Sequence, residues 1–480
     1  MLFLLGTMPM LFGAVHPVVT GVYSSLILSF LGGWILFNRR YIAHRPFFSL
    51  GHILLFLFFL WIILSLIPVP INWLKIISPA RNSYLQAANE LAETNIRYAS
   101  LGYNPHSGIL TASLLLALFI YAGAVKLLLN SDRLFLRKIL HTCIAVGVIE
   151  AVYGLLQATN PHLGVLWLNT TQFKGMARGT IIYKNQYAAL LNTVWPLAVG
   201  TALLSFKTFP RRKSTSVSVS TKKFTKKESR NRRRKRKKST ADYMESRRLH
   251  GLLFLFLAAV VMLAVLFSQS RGGIISMIII LFLLLVFLPV NLKNKLLLAG
   301  ILILATVSYG SIIGFSSIIV RFMLIQQGGE NRINIWLSSL PMLQDHLWAG
   351  AGIGSYSMLS DIYLKLFPEH IIFDRAHNDY LEFAIEFGLP AALFFFSVFL
   401  LFLLLYIKKI CPYTKKQLFR IPSAIIISVV SAAALIGFII HGTVDFGWRL
   451  PVNLLYVTTL FVLLQHGSQW TATLSKDRRR

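Results

Sequence analysis

The chain is poor in acidic residues and in cysteine. It has 17 Asp and Glu residues against 48 Lys and Arg residues, and two cysteines, Cys143 and Cys411, in 480 residues. Two cysteines in or beside apolar runs imply neither a disulfide framework nor a metal-binding cluster. The first fifteen residues lack the basic n-region and the small-residue cleavage site of a signal peptide. We therefore interpret them as a first, short membrane span.

Charged residues of both signs make up only 14% of the chain, whereas 55% is hydrophobic. Apolar runs recur at lengths that suit a bilayer core about 30 Å thick, which takes about 20 helical residues per crossing. Alternating ten-residue segments, which would indicate a membrane barrel, are absent. The sequence predicts an all-α polytopic membrane protein. About twelve spans are predicted, near 1–15, 18–38, 49–68, 108–129, 138–158, 186–206, 251–269, 272–290, 295–316, 388–407, 422–440 and 451–466.

The basic residues lie in alternate loops, after the even-numbered spans. Positive loops face the cytoplasm, so both termini are predicted there. These residues are Arg39, Arg40, Arg133, Arg137, Lys138, the 207–250 segment, Lys293, Lys295, Lys408, Lys409, Lys415, Lys416 and Arg478 to Arg480. The chain then divides into N-terminal helices 1–206 with an external amphipathic loop 69–107, a basic cytoplasmic loop 207–250, helices 251–316, a long external loop 317–387, helices 388–466 and a cytoplasmic tail 467–480.

Loop 207–250 holds 18 of the Lys and Arg residues and three acids. With almost no apolar residues it is predicted to be disordered. We predict that this loop contacts anionic lipid headgroups, because each basic residue near such a surface contributes about 1 kcal/mol to binding. A nucleic-acid partner is the alternative, but we expect none. The remaining charge of +16, from 30 basic and 14 acidic residues, mostly flanks apolar runs, as membrane sidedness requires.

The stretch Arg375 to Ala391 joins the long external loop to a nearly pure apolar run. It contains His377, whose imidazole can change charge near neutral pH. A simpler interpretation is a polar cap at the start of a helix, with Asn378 or Asp379 as the N-cap. The acids of this stretch could in principle hold a divalent ion, but they form no convincing ligand set, and no metal is predicted.

Four cations lie in segments that the predicted sidedness places outside. Arg271 lies between two spans beside Gly272 and Gly273, and Arg332 is four residues before Trp336 on a predicted helix that Asn331 would cap. Arg178 and Lys184 lie at the start of the sixth span. Together these side chains could bind an anion such as a lipid pyrophosphate, since guanidinium groups form bidentate hydrogen bonds with phosphate oxygens. The alternatives are a snorkelling Arg271, an Arg332 packed on Trp336, and solvated charges at Arg178 and Lys184.

Several of these motifs resemble those of the bacterial O-antigen ligase and O-antigen polymerase family. His377-Asn378 is followed by nine residues and Gly388-Leu-Pro-Ala391, where the family pattern ends in Gly-x-x-Gly. Similar features are Ser270-Arg-Gly-Gly273, the Arg332 and Trp336 pair, Pro341 with Gly350-Ala-Gly-Ile-Gly354, Arg178-Gly-Thr180 with Asn185, and Val444-Asp-Phe446. The resemblance covers roughly residues 110–465.

The resemblance implies a GT-C-like, metal-independent glycosyltransferase, without a cofactor, at the outer face of the bacterial inner membrane. Its donor would be a glycan on undecaprenyl pyrophosphate. Its acceptor would be a hydroxyl of a sugar, on lipid A core or a growing glycan, or of a protein. Loop 317–387 would then be catalytic, with His377 deprotonating or positioning the acceptor. Arg271 and Arg332, with Arg178 in addition, would bind the pyrophosphate; Asn378, Asp379, Lys184 and Trp336 would support the site.

Two other functions remain open. A transporter or flippase without covalent chemistry would carry charges near the bilayer midplane or broken helices, whereas the notable charges here lie at the outer boundary. A membrane anchor built around the basic loop would lose its function on deletion of residues 210–245, a deletion we expect to be tolerated. The motifs do not distinguish a ligase from a polymerase, because the two share donor chemistry and differ in acceptor.

Overall fold

The computed structural model describes residues 1–38, 50–132, 134–168, 173–207, 226–313, 325–364, 373–414, 418 and 421–477. Over these residues the regular secondary structure is helical apart from one two-stranded ladder and an isolated bridge between Val165 and Leu168, which confirms the all-α prediction. The elements are α1 (Leu2–Met10), α2 (Pro17–Phe37), α3 (Leu50–Leu66), β1 (Val69–Pro70), α4 (Ile71–Ile77), α5 (Pro79–Leu91), β2 (Tyr98–Ala99), α6 (Pro105–Ser131), α7 (Phe135–Thr159), α8 (Lys184–Phe206), α9 (Lys226–Phe267), α10 (Arg271–Phe287), α11 (Leu292–Ile313), α12 (Ile325–Asp345), α13 (Tyr356–Tyr363), α14 (Asp379–Phe387), α15 (Leu389–Thr414), α16 (Ser423–Gly442) and α17 (Pro451–Asp477).

Seven helices in the described part of the chain are long and apolar enough to cross a membrane. They are α2, α6, α7, α8, the Met244–Phe267 part of α9, α15 and α16. Each of the twelve predicted spans overlaps a helix, but α1 has only 9 residues. At 1.5 Å per residue it is about 14 Å long, roughly half of the hydrocarbon thickness. The total of twelve crossings therefore stays a prediction.

The basic loop differs from the expected disorder in its second half. Helix α9 begins at Lys226 and continues for 42 residues into the apolar span. Lys, Arg and Glu favour helices, and propagation from an existing helix needs no new nucleus. Residues 208–225, like other basic positions used to predict sidedness, lie outside the described residues. Those other positions are Arg39, Arg40, Arg133, Lys415, Lys416 and Arg478 to Arg480.

Helix α8 lies at the centre of the membrane helices. In its most apolar window 83% of the residues are buried, against 22% for α2 and for α15, which are therefore peripheral. Small residues permit this close packing. A Cβ at Gly200 would lie only 2.9 Å from Val430 Cγ2 of α16. The neighbouring helices α7, α9 and α16 pack against α8.

A second apolar core holds together the segments of the predicted external loop. Helices α12, α13 and α14 share it with Ala351 and with Tyr103. Ala351 belongs to a turn in which Gly350, Gly352 and Gly354 all have positive φ. The turn is bonded to α14 through Ala351 N and Ile385 O, 2.8 Å apart. Helix α14, which begins just after His377, is thereby held against α12.

The predicted amphipathic loop forms α4 and α5, closed by antiparallel pairing of β1 with β2. Leu74 and Leu85 face inward and pack with Leu101 and Ala349. Trp73 and Ile76 are 60% and 83% exposed, so α4 presents an apolar outer face just after the end of α3. The loop covers the same turn that supports α14.

Candidate active site

His377 occupies a strained position immediately before α14. Its φ is +51°, a left-handed conformation that is uncommon outside glycine. The side chain of Asn378 accepts hydrogen bonds from Tyr380 N at 3.1 Å and Leu381 N at 3.2 Å. Of the two candidate caps, Asn378 is therefore the N-cap, and Asp379 is the first helical residue. Such a backbone conformation persists only where the surroundings hold it.

The carboxylate of Asp445 joins two of the predicted site residues. Its Oδ1 lies 3.7 Å from His377 Nδ1, and its Oδ2 lies 3.5 Å from Arg332 Nη2. The Asp445 side chain is 4% exposed, whereas those of Arg332 and His377 are 29% and 31% exposed. The acid thus lies beneath a partly open surface formed by the guanidinium and the imidazole.

Asp445 is charged in this environment. Burial alone would raise the pKa of its carboxyl, but the contacts with His377, His441 and Arg332 outweigh burial and lower the pKa. A carboxylate so placed keeps Arg332 near the imidazole and can stabilise a proton that arrives on the imidazole.

Helix α12 presents Arg332 and Trp336 on one face, as their spacing predicts. Trp336 Nε1 donates to Ala376 O at 3.0 Å, so this helix also fixes the residue before His377. The helix begins at Ile325. Asn331 is therefore not its N-cap, and the prediction that Arg332 lies at a helix N-terminus is wrong. Arg332 is held by the Asp445 carboxylate instead.

Arg271 is the first residue of α10, and three residues separate it from Phe267 at the end of α9. Ser270 is the N-cap, and its hydroxyl accepts from Gly273 N at 3.2 Å. A Cβ at Gly272 would lie 2.8 Å from both His441 Cδ2 and Val444 Cγ2. This is the close approach that the glycine pair predicts. It places the positive end of the α10 dipole against the turn that carries Asp445.

The other two predicted cations lie behind Arg271. Lys184 Nζ donates to Gln269 O at 3.3 Å, and Ala177 N donates to Phe267 O at 2.9 Å. Both side chains, Arg178 and Lys184, are buried, so neither is a solvated surface charge. Burial lowers the pKa of Arg178, and its backbone N donates to Gln157 Oε1 on α7 at 3.2 Å. The segments that carry Arg178 and Lys184 thus pack on residues 267–270, which connect α9 to Arg271.

Phe446 links the start of α8 to the imidazole. Its ring centroid lies 5.0 Å from that of His377 and 5.6 Å from that of Tyr183, both in edge-to-face arrangements. Tyr183 directly precedes Lys184. The apolar contact restricts the imidazole on the side away from water and leaves the ring partly exposed.

Buried charges behind α14 were not identified as site residues from the sequence. Arg449 Nη2 lies 2.6 Å from Glu386 Oε2, and Arg449 Nε lies 3.2 Å from Glu382 Oε1. Burial would raise the pKa of Glu382, but Arg449 and Arg375 lower it. Burial also raises the pKa of Asp379 well above its usual range.

Two signals in the sequence pointed to these residues. Asp379, Glu382 and Glu386 recur at helical spacing, so they share one face of α14, where a cation from another segment can pair with more than one of them. Val444-Asp-Phe446 was recognised as a family-like feature, but its acid was not assigned to the site. Within the described residues, no group of three or more His, Cys, Asp or Glu side chains is arranged to hold a metal ion.

A protein-family model described as O-antigen ligase matches residues 253–396. The match confirms the resemblance inferred from the motifs, and its range includes Arg271, Arg332 and His377. It points to a membrane glycosyltransferase of the O-antigen ligase or polymerase type. A search of curated proteins found no match to the chain.

Proposed function

We propose that the protein transfers a glycan from undecaprenyl pyrophosphate to an acceptor hydroxyl at the outer face of the bacterial inner membrane. The observation that carries this proposal is the contact of Asp445 with both Arg332 and His377. One carboxylate thereby joins a phosphate-binding side chain to a proton acceptor. A GT-C-like arrangement with about twelve crossings suits a donor whose lipid tail lies in the bilayer.

The proton transfer is assigned to His377. The acceptor hydroxyl gives its proton to the imidazole as its oxygen bonds to the anomeric carbon of the donor sugar. Asp445 stabilises the imidazolium that forms. General base catalysis of this kind contributes about 10²- to 10⁴-fold in rate. The partial exposure of His377 gives an acceptor access to the ring.

Stabilisation of the departing pyrophosphate is assigned to the arginines. The bond from the anomeric carbon to the phosphate oxygen breaks, and the electron pair leaves with the pyrophosphate. Arg332 and Arg271 stabilise the added charge, together with the N-terminus of α10. Two guanidinium groups supply the positive charge that a metal provides in other phosphate sites, so the reaction is proposed to be metal-independent. Arg178 and Lys184 support Arg271 from behind.

The acceptor is a sugar on lipid A core, the end of a growing glycan, or a protein hydroxyl.

Both termini are proposed to lie in the cytoplasm, and the basic segment 207–250 to face anionic headgroups of the inner leaflet. Arg247 already caps the cytoplasmic end of α8, donating to Leu204 O at 2.6 Å and Ser205 O at 3.1 Å.

Deletion of the gene tests this function. Surface glycans and lipid-linked glycans are compared in the parent and the deletion strain by gel electrophoresis and mass spectrometry. Accumulation of full-length polymer on the lipid indicates a ligase, and loss of chain length with retention of single units indicates a polymerase. A lipid-linked pool that accumulates on the cytoplasmic side indicates the alternative, a flippase. Unchanged surface and lipid-linked glycans contradict the proposal.

A further inference from the structure

Glu382 contacts two short segments of the chain, one that carries the His377 imidazole and one that carries the Asp445 carboxylate. These two groups form the imidazole–carboxylate pair. Its Oε2 accepts from Ala376 N at 3.1 Å, and its Oε1 accepts from Arg375 Nη1 at 2.9 Å. The same Oε1 lies 3.2 Å from Arg449 Nε. Ala376 directly precedes His377, and Arg449 lies four residues after Asp445. A single fully buried side chain therefore ties together the two short segments that carry the pair.

The backbone at His377 needs such support. A left-handed non-glycine residue costs about 1–3 kcal/mol and is retained only where contacts over-determine it. Here Glu382 holds the backbone N–H of Ala376, Trp336 holds the carbonyl of the same residue, and Asn378 caps the helix that follows. Of these three contacts, only that of Glu382 extends to the turn of Asp445.

We infer that Glu382 is a positioning residue that helps to set the distance and orientation of His377 relative to Asp445, beside the hydrogen bond from Asp379 N to Asp445 O at 3.1 Å. The inference deepens the proposed function and rests on it. Glu382 touches neither the imidazole nor Asp445; it acts through Ala376, Arg375 and Arg449. Its ion pairs with two arginines keep the carboxylate charged while it accepts hydrogen bonds from Ala376 N and Arg375 Nη1.

Glu386 provides a matched control. It lies on the same helix, its side chain is equally buried, and it pairs with the same guanidinium, Arg449. Its other oxygen accepts from Tyr356 N at 3.2 Å, in α13, and among the described contacts it forms no hydrogen bond or ion pair with residues 375–377. Each Glu→Gln exchange removes one buried charge beside Arg449. Only the exchange at Glu382 loosens the segment of His377.

The first test compares transfer by full-length Glu382→Gln and Glu386→Gln in membranes of the deletion strain, with the endogenous lipid-linked glycan as donor. We expect Glu382→Gln to lower the maximal rate about 10- to 100-fold, with little change in the donor concentration that gives half the maximal rate, because misplacement of a catalytic group by about 1 Å costs that much. Glu386→Gln is expected to lower the rate several times less. Equal losses in the two variants, at equal melting temperatures, overturn the inference.

The second test does not depend on transfer. Carbethoxylation of His377 by diethyl pyrocarbonate is followed by mass spectrometry on purified full-length protein. Release of the imidazole from Asp445 and Phe446 is expected to raise the rate severalfold in Glu382→Gln and to leave it unchanged in Glu386→Gln. Equal rates in the two variants overturn the positioning role. A selective rise in Glu382→Gln, combined with unchanged glycans in the deletion strain, supports positioning and contradicts the proposed function alone.

Discussion

At the scale of residues, the central feature is a buried acid shared by a guanidinium and an imidazole. Asp445 lies in a short turn between α16 and α17, whereas Arg332 and His377 come from the segment predicted to be external. Its charge is retained because the cations outweigh the effect of burial. Without it, the Arg332 guanidinium would lose its ion pair and the His377 imidazole its neighbouring carboxylate. Asp445 thus joins two residues of the candidate site.

Replacement of Asp445 by asparagine tests this role. The exchange preserves size but removes the charge that holds Arg332 and His377 and that stabilises the imidazolium. Transfer is expected to fall about 10- to 100-fold, a large part of what a general base contributes. Asp361→Asn, at an exposed acid of α13, is the control and is expected to transfer normally. Normal transfer by Asp445→Asn would show that the carboxylate is dispensable.

The difference in melting temperature between Asp445→Asn and the unmodified protein is expected to depend on pH. Because the pKa of Asp445 is lowered in the folded protein, its contribution is present above the ordinary Asp pKa of about 4 and is lost as pH falls through the folded value. Asp445→Asn should therefore melt at a lower temperature than the unmodified protein at neutral pH. The difference should shrink as pH falls below about 4. A difference that is constant across this range would contradict a charged Asp445.

At the scale of elements, the site depends on close packing of the turn 346–355 against its neighbours. Gly352 has φ +82°, and a Cβ there would lie 2.2 Å from Gly102 Cα. Gly350 makes a similar approach to the backbone of Phe387 at the end of α14. These contacts fix α14, and with it His377, against the loop of α4 and α5.

Gly352→Ala is expected to disrupt this packing. Positive φ alone costs about 1–3 kcal/mol for a non-glycine residue, and the backbone clash adds to that. The melting temperature in detergent and the transfer rate should both fall. Gly300→Ala, on α11 with nothing within 4 Å of the added Cβ, is the control and should leave both unchanged or slightly raise the melting temperature. An unchanged melting temperature and transfer rate in Gly352→Ala would show that the turn accommodates the added methyl group without loss of packing.

Much of this element arrangement could be predicted from the sequence. Long apolar runs are sufficient to predict most of the long helices. The glycines at 350–354 indicate a turn. The start of α12 was misplaced because Asn331 resembles a cap, although the helix continues upstream to Ile325. The buried pairing of Arg449 with Glu382 and Glu386 involves segments more than sixty residues apart, which periodicity cannot bring together. The resemblance supplied the site residues, but not the carboxylate that joins them.

At the scale of the whole molecule, the distribution of charge gives the proposed orientation. The cations of the site lie at one end of the helices, and the basic start of α9 continues from the other end of its span. Cysteine labelling tests this orientation in a variant that lacks Cys143 and Cys411. Trp348→Cys and Leu249→Cys place thiols at positions that are 74% and 60% exposed.

In intact cells whose outer membrane is permeabilised, a membrane-impermeant maleimide should label Trp348→Cys. Leu249→Cys should react only after the inner membrane is opened. Labelling in the opposite order would invert the topology and place the site in the cytoplasm, where no outer-face transfer could occur.

The most direct measurement is glycan transfer by His377→Ala in the deletion strain, with insertion of the variant checked by membrane fractionation and immunoblotting. The account predicts that the variant inserts normally, that surface glycan transfer is abolished, and that the lipid-linked glycan accumulates as it does in the deletion strain. Transfer at the normal rate by an inserted His377→Ala protein would contradict the account, which assigns the acceptor's proton to His377.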